Sequence, residues 1–118
     1  MKVQLSVSGL ELSTELEKYA NSKLAHLIRR VPRKLRGGGV CEVRFAQIVR
    51  KGTAFNTCTI TFTVGKAELR AEETTLHMYA ALDIAAVQVE RQLADFVATQ
   101  HKHRLSTRLK RHFRRDAD

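Results

Sequence analysis

The 118-residue sequence has no Trp, a single Pro, two Cys and only seven aromatic residues, two Tyr and five Phe. With so few rings the core must be aliphatic. Base-by-base stacking along a single strand needs a row of aromatic platforms, so it is disfavoured. Cys41 and Cys58 form no CxxC pair, and two thiols are no disulfide framework. They read as reduced core residues, as a free Cys usually is. No apolar run approaches the roughly 20 residues that span a bilayer. The opening MKVQLSVSGLEL is too short and too polar for a signal peptide, so a cytoplasmic location with no membrane partner is expected. Gly37, Gly38 and Gly39 lack the GxxxxGK[ST] spacing, which makes them a flexible link rather than a phosphate-binding loop.

What is present suffices for one small domain with an appendage. Hydrophobic residues make up 43% of the chain, enough for a core. Val3, Leu5 and Val7 alternate with polar neighbours over residues 2–8, as in a half-buried strand. Ser13 or Thr14 can cap a following helix, and Thr14 with Glu17 fits a capping box. Leu16, Tyr19, Ala20, Leu24, Leu27, Ile28 and Val31 fall on one stripe of that helix, and Pro32 ends it near Val31. From Val40 the period becomes two. Cys41, Val43 and Phe45, then Cys58, Ile60, Phe62 and Val64, then Ala67, Leu69 and Ala71 give three strands. Turns at residues 50–53 and at Gly65 make them an antiparallel meander. The other face of the middle strand is Thr57, Thr59, Thr61 and Thr63. The last helix, capped by Thr74 or Thr75, carries Met78, Leu82, Ala85, Ala86, Val89, Leu93, Phe96 and Val97 over about five turns. The fold class is therefore α+β, in the order β-α-β-β-β-α. Two helices cover one face of a four-stranded sheet, and the Thr face is left to solvent. Residues 1–100 form the domain and residues 101–118 a basic C-terminal tail.

Catalysis finds little support. Of the five His, three lie in the tail (His101, His103, His112), and His26 and His77 lie on the two helices. None has a carboxylate or nucleophile partner by spacing. His101-x-His103 lacks further ligands, so a solvated tail is the better reading than a metal site. Asp83 and Glu90 share a face of the last helix. A paired-carboxylate mechanism would need a cleft there, and a solvated helix face is the simpler reading. No enzyme activity, cofactor, metal or small-molecule substrate is expected.

Charge is the stronger signal. The net charge is +9. Residues 1–100 contribute +4 (fourteen Lys/Arg, ten Asp/Glu) and residues 101–118 contribute +5 (seven against two). Five of the cations, Arg29, Arg30, Arg33, Lys34 and Arg36, fall within residues 29–36 with no acid among them. This balance favours a nucleic-acid partner, and the scarcity of aromatics favours backbone and shape recognition of folded RNA. The candidate contacts are Lys23, Arg29, Arg30, Arg33, Lys34 and Arg91, with Lys102, Arg104 and Arg108 in the tail.

The segment LRAEETTLHMYAALDIAAVQVERQL resembles the signature of the ribosome hibernation-promoting factor family, which includes the ribosome-associated inhibitor protein Y and the sigma-54 modulation proteins. The matching parts are Met78-Tyr79-Ala80-Ala81-Leu82-Asp83 and Glu90-Arg91-Gln92-Leu93, supported by the placing of Leu12, Ser13, Leu16, Tyr19, Lys23 and Leu27. The resemblance covers about residues 1–97. It implies a fold akin to double-stranded-RNA-binding domains. It also implies a translation inhibitor, bound to the small ribosomal subunit and its rRNA in the channel used by mRNA and tRNA. By position, Lys23 and Arg91 match basic contact positions of the family. The alternative is a structured-RNA-binding module acting away from the ribosome.

Several positions depart from the family pattern. His77 replaces a usual acid, His26 replaces a cation, Gln88 replaces a common Lys, and Asp95 and Val97 stand where basic residues are frequent. The tail is expected to supply the missing footprint. Leu105, Leu109 and Phe113 are four apart, as in a short amphipathic basic helix, here expected to stay mobile until RNA is present. Met78 and Tyr79 are expected to be packing anchors rather than RNA contacts. The further C-terminal domain of long family members has no counterpart in these residues, so a short form, or a truncated long one, is expected; off the ribosome a monomer is expected.

Overall fold

The computed structural model describes the backbone of residues 1–117 and the side chains of residues 1–100. Its elements are β1 (Lys2–Ser8), α1 (Thr14–Arg29), α2 (Arg33–Arg36), β2 (Val40–Arg50), β3 (Thr53–Val64), β4 (Ala67–Thr75) and α3 (Met78–Ala117). The strands lie in the order β1-β2-β3-β4. β2, β3 and β4 form the antiparallel meander, while β1 pairs parallel to β2. A parallel neighbour needs a crossover connection, and α1 supplies it. Both long helices pack on one face, so the α+β architecture is as the periodicities imply. The addition is the single turn α2, seated between the end of α1 and the glycine link at residues 37–39.

The core joins Leu16, Ala20, Leu24 and Leu27 of α1 to Val43, Phe45, Ile60, Phe62 and Val64 of the sheet and to Leu82, Ala85, Val89 and Leu93 of α3. Cys41 and Cys58 are fully buried within it. β1 differs from expectation. Leu5 is partly buried, but Val3 and Val7 remain 38% and 37% exposed. β1 is an edge strand, so its apolar face has a packed neighbour on one side only.

The helix termini also differ in detail. The Ser13 hydroxyl accepts from the Leu16 N–H at 3.1 Å, so Ser13 is the cap and the Thr14–Glu17 box is not used. One residue of shift places Leu16, not Glu17, at the third helical position. α1 ends at Arg29, with Arg30 and Val31 bonded back to Leu27 and Ile28 in a tightened last turn. At α3 the strand continues to Thr75, and the first helical bond runs from the Ala81 N–H to the His77 carbonyl. Thr75 instead accepts from the His77 N–H at 3.1 Å and pins the turn.

Three contacts fix the sheet's surroundings. Gly9 has φ +77°, and a Cβ there would stand 2.3 Å from the Gln47 carbonyl oxygen. The turn after β1 therefore requires glycine. Asn56, the buried polar residue of the core, accepts from Gln47 Nε2 (2.8 Å) and donates to the Leu76 carbonyl (3.0 Å). It thereby ties the β2–β3 hairpin to the entry of α3. Gln92 of α3 accepts from the Arg70 N–H (3.0 Å) and donates to the Arg70 carbonyl (2.7 Å). Its amide thus acts as a one-residue strand partner for the β4 edge, which blunts an edge open to non-native pairing.

α3 crosses position 100 without interruption. Its 40 residues correspond to about 60 Å at 1.5 Å per residue. Among its described side chains Leu93 is the last fully buried one, with Phe96 and Val97 partly covered.

Candidate nucleic-acid interface

The apolar stripe of α1 faces the sheet, so its cations must project sideways toward α3 or outward. α1 and α3 run parallel, and the side-facing charges meet in register. Lys23 Nζ lies 3.3 Å from Asp83 Oδ1, and Arg30 Nη1 lies 3.0 Å from Glu90 Oε1. The step is seven residues on both helices, two turns, so the same relative placement recurs. The Tyr19 hydroxyl donates to Asp83 Oδ1 at 2.7 Å. Lys23 also stands 5.4 Å from the centroid of the Tyr19 ring. The hydrogen bond to Asp83 and that carboxylate's charge raise the Lys23 pKa above its ordinary value. The Tyr19 hydroxyl's own hydrogen bond to Asp83, with desolvation, raises the Tyr19 pKa.

These contacts revise two expectations. Asp83 and Glu90 are not a free solvated face; they hold α1 against α3. Tyr79 is not a buried anchor. It is 41% exposed and meets Tyr19 edge to face, with centroids 5.0 Å apart. Its position on α3 points it along the helix pair rather than into the sheet. Met78 does pack against the core.

At the end of α1, Arg36 donates from Nε to the Val31 carbonyl and from Nη2 to the Arg29 carbonyl, both at 2.8 Å. A guanidinium at the negative end of a helix is favourable, and it draws α2 back under α1. Arg29, Arg33 and Lys34 are left exposed on this compact corner. Among the described residues none of the three has an ion-pair partner, and the exposed Arg91 on α3 has none either. The structure thus separates the candidate contacts. Lys23 and Arg30 are engaged with acids of α3. Arg29, Arg33, Lys34 and Arg91 present their charges outward. The side chains of Lys102, Arg104 and Arg108, the His pair and the Leu105–Leu109–Phe113 stripe lie outside the described residues.

Sequence reasoning missed the roles of Arg36 and Gln92, since neither a side-chain cap nor an edge-strand mimic has a spacing rule. The matched seven-residue steps of Lys23/Arg30 and Asp83/Glu90 were the signal for the ion-pair ladder. Among the described residues no three His, Cys, Asp or Glu side chains are grouped to hold a metal ion, and no helix is long and apolar enough to cross a membrane. Burial raises both thiols to a pKa of about 12.

The family described as sigma 54 modulation protein / S30EA ribosomal protein matches residues 3–105. The N-terminal domain of Thermus thermophilus protein Y is similar at 25% identity and a TM-score of 0.67, over 81% of this chain and 99% of that one. A ribosomal subunit interface protein from Coxiella burnetii shares the fold at 18% identity and a TM-score of 0.65, over 83% of this chain and 99% of that one. No curated protein sequence gives a significant match.

Proposed function

The chain belongs to the sigma 54 modulation protein / S30EA ribosomal protein family, and from that premise we propose that it is a ribosome-binding translation inhibitor, or hibernation factor. Its target is the small ribosomal subunit, where the domain occupies the mRNA/tRNA channel and touches rRNA. The observation that carries this reading is the corner formed by α1 and α2. There Arg29, Arg33 and Lys34 are exposed, without an acidic partner among the described residues, on a corner held in place by Arg36.

Three cations on a rigid corner can replace counterions on a folded phosphate backbone, which favours binding in proportion to the ions released. Arg91 extends the surface along α3. Lys23 and Arg30 can join it only by leaving Asp83 and Glu90. Lys102, Arg104 and Arg108 are the proposed continuation of the footprint beyond the domain. Inhibition follows from occupancy alone and requires no catalysed step. Function at the ribosome places the protein in the cytoplasm.

Competition tests the reading. Purified small subunits carrying the bound protein should release it when mRNA and tRNA are added together. Release by an equal mass of unrelated structured RNA, with no added effect of the natural ligands, would instead indicate a general RNA-binding module.

A further inference from the structure

The centre of the sheet face opposite the helices carries four charges in two rows. Thr61 on β3 stands between Glu42 on β2 and Arg70 on β4, and Thr59 stands between Arg44 and Glu72. One row therefore reads negative, Thr, positive, and the next reads positive, Thr, negative. These residues line a shallow depression of about 400 Å³. Further along the hairpin, on the same face, Ile48 pairs with Phe55, and the two are 52% and 38% exposed. In a chain of net charge +9, these four central charges sum to zero, and with Lys2, Arg50 and Glu68 the whole face carries only +1. A phosphate backbone gains little from it. A protein surface with the same alternating pattern gains at every position.

We propose that this face binds a second copy of the chain about a twofold axis parallel to β3. Rotation about such an axis exchanges the β2 and β4 sides and leaves each row opposite itself. Glu42 then faces Arg70 of the second copy, and Arg44 faces its Glu72. Both pairs recur by symmetry, as an isologous interface requires. Phe55, on β3, faces Phe55 of the second copy with one Ile48 on either side of the pair, so the apolar end of one face covers that of the other. Sheets packed face to face stand about 10 Å apart with strands aligned within about 30°. Arg and Glu side chains are long enough to meet across that gap. The charge pairs set register more than affinity. Three strands' width gives a footprint at the small end of specific interfaces, so the dimer is reversible and concentration-dependent. It replaces the monomer expected away from the ribosome. It uses none of the residues assigned to RNA, and it leaves α1, α2 and α3 uncovered.

Charge exchange tests this by sedimentation velocity over a range of concentrations. The natural chain should pass from monomer to dimer as concentration rises. The Glu42→Arg/Arg44→Glu variant keeps the net charge but sets like charges against each other, and should dissociate about tenfold more readily or beyond. The Arg70→Glu/Glu72→Arg variant should behave likewise. An equimolar mixture of the two restores every attraction and should form a heterodimer. Ile48→Glu should also remove the dimer. A natural chain that stays monomeric at the highest concentration would overturn the proposal. So would a mixture no more associated than its components, or an undiminished dimer in the Glu42→Arg/Arg44→Glu variant. Ribosome binding is a separate readout that these substitutions leave unchanged.

Discussion

Lys23 Nζ lies 3.3 Å from Asp83 Oδ1, and the same oxygen accepts the Tyr19 hydroxyl at 2.7 Å. One carboxylate therefore serves two partners on α1, and the cation best matched by position to an RNA contact is engaged within the fold. Asp83→Asn should weaken the α1–α3 contact by about 1 kcal/mol, because the ion pair is solvent-screened and the hydrogen bond is partly retained. It should also free Lys23 for phosphate and steepen the salt dependence of ribosome binding by roughly 0.7–0.9 in log–log slope. Glu15→Gln, which removes a charge from an exposed first-turn residue of α1, is the control and should leave the slope as it was. Equal slopes in all three proteins would show that Lys23 is not available to RNA even when released.

The two core thiols give a prediction about pH. Burial raises Cys41 and Cys58 to a pKa of about 12, against roughly 8.5 in an unfolded chain. Between these values the unfolded state binds fewer protons than the native state, so stability falls as pH rises. The raised pKa values of Lys23 and Tyr19 act in the same direction at still higher pH. Denaturant midpoints at pH 7, 9 and 10 should therefore decrease in that order, and Cys41→Ala/Cys58→Ala should flatten the trend from pH 7 to 9. A thiol reagent should modify neither Cys in the native protein except at the rate of unfolding.

Gln92 closes the β4 edge through both polar groups of Arg70. Gln92→Ala should cost about 1–2 kcal/mol, the loss of two partly exposed hydrogen bonds, with a lower midpoint in chemical denaturation. Gln92→Glu, which retains the acceptor only, should fall between the two.

Much of this fold could be read from the residues. The period-two runs at Cys58–Val64 and Cys41–Phe45 mark buried strand faces because one side of each strand meets the helices and the other does not. The stripes of α1 and α3 follow for the same reason. Pairing partners were less legible. Nothing in Val3, Leu5 and Val7 says that β1 joins β2 in parallel as an edge strand, since that depends on where α1 returns the chain. The candidate site was legible in composition but not in allocation. Residues 29–36 announce a basic cluster. Which cations are free depends on side chains far away in sequence, Asp83 and Glu90 across the helix pair, and on Arg36 folding back onto the end of α1.

Co-sedimentation across a salt series tests most directly whether the α1–α2 corner binds the small ribosomal subunit. Arg29, Arg33 and Lys34 are exposed, so replacing all three by Ala should leave the fold intact. The natural chain should pellet with small subunits at low salt and be released as salt rises. The triple variant should bind more weakly throughout, with a log–log slope shallower by about 2–2.7, the contribution of three phosphate contacts. A triple variant that keeps both the affinity and the salt slope of the natural chain would contradict the account.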